Sequence, residues 1–244
     1  MKISFHNSIE EISRESWDAL IGDLNYPFLK HDFLKTLEIT NCVGTNTGWI
    51  PIHITIERDK ELIAAMPLYL KSHSQGEFVF DHAWANAFYQ HGLDYYPKLV
   101  SSIPHTPASG PRFLLKDGEE KSVLFEKIKE GVKMISSKNN ISSWHILFPE
   151  KDEINFYENS QLSIRKNAQF IWFNKNYKNF ENYLENFRSR HRKIVLKERN
   201  KIKEQDLIIE TLSGEALDYE IMNKFYKFYL STNIKRSGFS GYLT

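Results

Sequence analysis

Between Trp49 and Leu70 the chain carries its most restrictive pattern. Ile50, Ile52, Ile54 and Ile56 recur at every second position, with Pro51, His53 and Thr55 between them. A period of two sends the isoleucines to one side of a strand running from Trp49 to Glu57. Arg58, Asp59 and Lys60 follow as a polar turn, and Leu62 to Leu70 is apolar almost throughout. An apolar run of that kind suits a central strand covered on both faces, so the two segments read as a hairpin inside a larger sheet.

The flanking sequence supplies the covering elements. Residues 8–22 read as a helix, with Ser8 and Glu11 at capping-box spacing and Ile12, Trp17, Leu20 and Ile21 as apolar positions. A second helix is expected from His31 to Asn41. Lys71 to Pro111 reads as a loop rich in His, aromatics and Pro, holding one short helix from Ala83 to Gln90 that Gly92 ends. A short strand at Phe113–Leu115 precedes a helix over 119–138, where Leu124, Ile128, Gly131 and Ile135 face one way. A strand from Trp144 to Phe148 and a short helix near 151–158 follow. The remainder reads as a strand from Ser163 to Asn174, a long helix over 179–204, a strand from Leu207 to Leu212, and a helix over about 215–235 that Ser213-Gly214 caps. Alternating helices and strands predict a mixed α/β fold, with a boundary near 150–160 where Pro149 and a polar stretch interrupt the pattern.

Bulk composition narrows the setting. The 244 residues hold 41% apolar and 26% charged residues, enough for a sizeable core and unlike collagen, low-complexity disorder or a disulfide scaffold. Cys42 is the only cysteine, so no intrachain disulfide forms and a reducing, cytoplasmic setting is expected. The first residues, MKISFHNSIEEIS, carry acids where a signal peptide needs an apolar run, and no integral membrane segment is expected. P-loop, zincin, zinc-ribbon and serine-hydrolase motifs are missing, as is a Rossmann glycine turn.

Two stretches carry chemistry. From Lys71 to Trp84 the chain offers His73, Glu77, Asp81 and His82. On a helix, 73, 77 and 81 would share a face; on a strand, 77, 79 and 81 would. A proton-transfer pair needs a carboxylate and an imidazole within hydrogen-bond reach, so His73, Glu77 and Asp81 are the catalytic candidates. The same stretch also reads as a polar loop whose His and Asp cap backbone. A metal would need three or four convergent ligands, and none is expected. His82 and Trp84, then Tyr95, Tyr96, Lys98 and Arg112, suit a groove for an anionic or glycan-like ligand. They suit a Pro-stiffened loop packed on the sheet equally well.

The second stretch is basic. Residues 188–203 hold eight Lys or Arg against Glu198 alone, a net charge of +7 in a chain whose total is +1. Arg188, Arg190, Arg192 and Lys193 open it. Such a helix attracts phosphate, whether of RNA, a nucleotide or coenzyme A, unless it is simply a solvated face.

The block Pro67–Asp81 resembles a bacterial family of N-acyltransferases, the peptidoglycan biosynthesis/recognition group in the Fem-like (FemAB-type) branch of the GNAT superfamily. The likeness continues through Tyr95-Tyr96-Pro97-Lys98-Leu99, Thr106-Pro107, Gly110-Pro111-Arg112, Ser142-Ser143-Trp144-His145, Gln169-Phe170 with Trp172, and Arg190-His191-Arg192-Lys193. His82, Asn86 and His105 depart from the pattern. The resemblance implies tandem GNAT-like domains, residues 1–158 and then 159–244 as the N-terminal half of a second. It also implies transfer of an acyl or aminoacyl group to an amine acceptor, a small molecule or a cell-wall precursor. No cofactor would be tightly bound; acyl-CoA or aminoacyl-tRNA would serve as co-substrate, with tRNA as a partner. A glycan-, muropeptide- or RNA-binding module without turnover is the alternative.

Overall fold

The computed structural model describes every residue except Leu24, Asn25, Gln169 and Asp206. It divides into two compact units, residues 1–164 with 242–244, and residues 165–241.

The first unit is mixed α/β, built on the expected hairpin. That hairpin is broken in each arm, giving β2 (Trp49–Pro51) and β3 (His53–Arg58), then β4 (Glu61–Met66) and β5 (Tyr69–Lys71). Asp59 and Lys60 both take positive φ at the turn, the geometry that lets two residues join right-twisted strands. The breaks fall at Ile52 and at Pro67-Leu68, and they distribute the hairpin between two four-stranded sheets. One has the order β1-β3-β4-β7, with β1 at Lys2–His6 and β7 at Leu114–Leu115. The other has the order β2-β5-β6-β8, with β6 at Lys98–Ser101 and β8 at Trp144–Ile146. All pairings are antiparallel except β6 with β8.

Two layers of helix cover the first sheet. Helix α4 (Lys121–Asn139) contributes Leu124, Phe125, Ile128 and Val132 to a core with Ile54, Ile56 and Met66. Helices α1 (Arg14–Ile21) and α2 (His31–Ile39) contribute Trp17, Leu20 and Leu34 to a second core with Ala65 and Leu114. Burial on both sides explains why His53 and Thr55, between the isoleucines, are as buried as Ile54.

Several expectations are corrected. The first helix begins at Arg14, where the Ser13 side chain accepts from the Ser16 amide. Ser8 instead caps a single 3-10 turn at Ile9–Glu11. β6 lies where a loop was expected, and β1 precedes the first expected element; both are short and depend on their neighbours for ladder bonds.

The short helix expected near 151–158 is α5 (Ile154–Asn159); in the second unit the long helix is two, α6 (Phe180–Leu184) and α7 (Ser189–Lys203), and the last is α8 (Tyr219–Ser237) with Asp218 as its cap. Among its described residues the segments 163–174 and 207–212 form no strand. Alternation marks a strand's faces, but a strand exists only where a neighbour accepts its ladder.

Candidate functional site

The polar stretch after β5 is neither helix nor strand. Residues 72–81 form a strap of turns, with positive φ at Gly76 and Phe78, that ends at α3 (His82–Gln90). The strap lies over β6, and its polar side chains converge on one residue of that strand. Lys98 Nζ donates to Ser74 Oγ at 2.8 Å, Glu77 Oε2 at 2.8 Å and Asp81 Oδ2 at 2.5 Å. Tyr95 OH donates to the same Asp81 oxygen at 2.7 Å, and Ser74 pairs with Tyr96 OH at 2.8 Å. Lys98 and Tyr95 are fully buried, and Asp81 and Glu77 are 1% and 2% exposed.

Burial by itself would raise the Asp81 carboxyl, but the bonds from Lys98 and Tyr95 outweigh it and hold Asp81 down at about 2. At Glu77 burial prevails over Lys98, so that carboxyl is pushed up. A carboxylate held near 2 is a weak base. Of the two, Glu77 has the proton affinity that general-base work needs.

The other residues singled out in the sequence lie in different places. His73 accepts from the Gln75 amide at 3.2 Å and packs on Gly48, where any β-carbon would overlap its imidazole. His82 and Trp84 stand exposed on the first turn of α3, with Trp84 48% exposed and its ring 6.5 Å from that of His145. Arg112 points inward. It is 1% exposed and donates from Nε to Leu147 O at 2.8 Å, from Nη1 to Gly110 O at 3.0 Å and from Nη2 to Ala108 O at 2.5 Å. Parallel pairing of β6 with β8 runs on to the Leu147 amide on Ser101 O; beyond it the 108–112 loop takes the carbonyls of Leu147 and Phe148. Arg112 thus ties the 108–112 loop to the residue that follows β8, and burial lowers its pKa to about 10. Its guanidinium is occupied by these carbonyls, the arrangement of a loop packed on the sheet.

Two features escaped sequence reasoning. Lys71, at the end of β5, is fully buried over the Trp49 ring at 3.8 Å and donates to Gln75 O at 3.1 Å. Glu38 on α2 accepts from Ser8 Oγ at 2.6 Å, from the Ile9 amide and from His53 Nε2 at 3.1 Å. The Leu68 amide donates to His53 Nδ1, which places the ring proton on Nε2. A lysine and a histidine inside an apolar alternation were the available signals.

In the second unit, α7 is exposed except at Arg192 and Val195, which are half-buried, and Lys193, Lys197 and Lys201 recur at one-turn spacing beside Leu196, Asn200 and Glu204 around a shallow groove. Arg192 differs from them: it donates to the carbonyls of Leu184, Glu185 and Phe187. Arg188 precedes the helix and Arg190 is exposed on its first turn. Among the described residues no group of three or more His, Cys, Asp or Glu could hold a metal, and no helix is long and apolar enough to cross a membrane.

No curated protein matches the chain. Solved structures resemble it distantly. The apo aminoglycoside 6'-N-acetyltransferase of Acinetobacter haemolyticus is 11% identical, covers 72% of this chain and 98% of its own, and has a TM-score of 0.42. The ribosomal-protein-alanine N-acetyltransferase of Brucella melitensis is 7% identical, covers 71% and 99%, and scores 0.41. An aminoglycoside N-acetyltransferase in complex with CoA is 11% identical, covers 71% and 98%, and scores 0.39. At such scores these likenesses carry no argument about this chain. The Gln169 position of the resemblance lies outside the described residues. Residues 8–244 match the FemAB-like family, described as peptidoglycan biosynthesis/recognition, and the chain belongs to that family.

Proposed function

We propose that the protein is an N-acyltransferase that moves an acyl or aminoacyl group from acyl-CoA or aminoacyl-tRNA to an amine on a cell-wall precursor. The observation that carries this reading is the family match across residues 8–244, which spans both units. Supporting it are the exposed lysine row of α7, which suits a phosphate-bearing donor, and the aromatic side chains of α3 and Tyr96 around a buried proton-holding cluster. In the transfer, the neutral amine attacks the donor carbonyl. A C–N bond forms, the C–S or C–O bond breaks, and the amine proton passes to a base. Glu77 is the preferred acceptor among His73, Glu77 and Asp81. We further propose tandem GNAT-like domains, with residues 159–244 opening the second, and a cytoplasmic site of action.

Calorimetric titration with CoA, acetyl-CoA and aminoacyl-tRNA tests this. Binding of one of them, weakened when Lys193, Lys197 and Lys201 are reversed in charge, is the expected result; no binding of any overturns it.

A second reading is favoured by the burial of Glu77 and Asp81, which leaves neither carboxylate open to a substrate in this conformation. On that reading the protein binds muropeptides without turnover. Binding of a muropeptide that is unchanged in Glu77→Gln and Asp81→Asn, with no transfer product, would select it.

A further inference from the structure

In the second sheet Lys71 of β5 stands directly opposite Lys98 of β6, and both are fully buried. Like charges in that position repel. The strap 72–81 resolves the conflict unequally. Lys98 receives three acceptors, Ser74 Oγ, Glu77 Oε2 and Asp81 Oδ2, one for each of its protons. Lys71 receives one, Gln75 O, which the Trp49 indole N–H shares at 3.1 Å, together with the Trp49 ring face. Every acceptor for both lysines belongs to the strap, so it is the closed strap that withdraws them from water. Glu77 Oε1 and Asp81 Oδ1 are buried with no hydrogen-bond partner among the described residues.

We propose that residues 72–81 are a proton-operated strap whose opening takes up one proton on Lys71. Closed, the strap leaves the Lys71 amine with too few acceptors for an ammonium opposite another ammonium; open, water solvates it. The proposal stands whether or not the acyl-transfer reading holds.

The groups facing Lys71 are Glu77, Asp81 and His73 of the strap, Lys98 of β6, and His105 of the following loop. Burial is the largest influence and Lys98 adds to it, while Glu77 and Asp81 oppose; together they lower the Lys71 pKa from 10.5 to about 7. A lowered lysine pKa means that the closed state holds fewer protons than the open state between those two values. Closure therefore strengthens as pH rises through that window, by about tenfold per pH unit for one proton. Because Asp81 leads into α3, opening also frees the helix that carries Trp84.

Hydrogen exchange of the full chain between pH 7 and 9, corrected for intrinsic exchange, tests the strap. Amides of 72–81 should gain roughly tenfold protection per pH unit, while β3 and β4 stay level. In Lys71→Met the slope should vanish. A level profile in the parent protein, or an unchanged slope in Lys71→Met, overturns the proposal. Should Lys71→Met fail to fold, NMR titration of the Lys71 ε-carbon in the parent protein decides. A midpoint within about a unit of 7 supports the strap, and an ordinary midpoint near 10.5 overturns it.

Discussion

Lys98 and Asp81 form a 2.5 Å ion pair in which neither side chain is more than 1% exposed. Breaking such a pair leaves an uncompensated buried charge, which costs far more than the intact pair contributes. Lys98→Met strands both Glu77 and Asp81. It should lower stability by about 3–5 kcal/mol in urea unfolding. Adding Glu77→Gln and Asp81→Asn should recover part of that loss, because all three charges then go together. No recovery would mean that packing around Lys98, rather than charge, sets the cost.

The depressed Asp81 pKa gives the fold an acid limit. Its folded value of about 2 lies below the ordinary 3.8, so the stabilisation is present above 3.8 and is lost as pH falls towards 2. A shift of that size is worth about 2 kcal/mol. Stability measured by denaturant between pH 5 and 2.5 should fall more steeply in the parent protein than in Asp81→Asn.

Gly76 tests the strap's fit independently of charge. Its φ is +77°, and a β-carbon there would lie 2.5 Å from His105 Nδ1 and 3.0 Å from Trp49 Nε1. His105 has little room to yield, since Nε2 donates to Cys42 O at 3.1 Å and the ring stacks on Tyr242 at 4.6 Å. Gly118 has a similar φ of +83° with nothing within 4 Å. Gly118→Ala should therefore show the conformational cost alone, about 1 kcal/mol, and Gly76→Ala at least about 1 kcal/mol more, compared by thermal unfolding.

Arg112 holds four backbone carbonyls from a buried position, and each bond to a charged group is worth about 1.5–3 kcal/mol. Arg112→Met should cost about 3 kcal/mol or more. Arg112→Lys should recover less than half, because a point-like ammonium cannot span carbonyls that a planar fork reaches together. Neither change should alter the salt dependence of polyanion binding.

On α7 the cations should separate by role. Arg192→Ala should loosen residues 180–188 in hydrogen exchange, since its guanidinium holds the carbonyls after α6. Reversing Lys193, Lys197 and Lys201 should leave that exchange unchanged. It should instead flatten the slope of log affinity for tRNA against log salt by roughly two to three.

Local order was legible without the structure. The period of two over 50–56, the polar turn at 58–60, the apolar face of α4 and the reach of α3 all depend on neighbours a few residues away. So did the concentration of chemistry in 71–98 and of charge in 188–203. What the tertiary structure alone decided depends on distant partners. Lys98 meets Glu77 and Asp81 across separations of 21 and 17 residues, and its bonds to both gather in one buried cluster the two carboxylates that the sequence offers as catalytic candidates. Arg112 faces inward because the carbonyl of Leu147, 35 residues away, waits beside the end of β6. β1 and β6 exist because other strands accept their ladders, and the segments 163–174 and 207–212, expected as strands, form none among the described residues. Periodicity tells which side of an element is apolar; only the contacts it makes tell what compensates its charges and completes its hydrogen bonds.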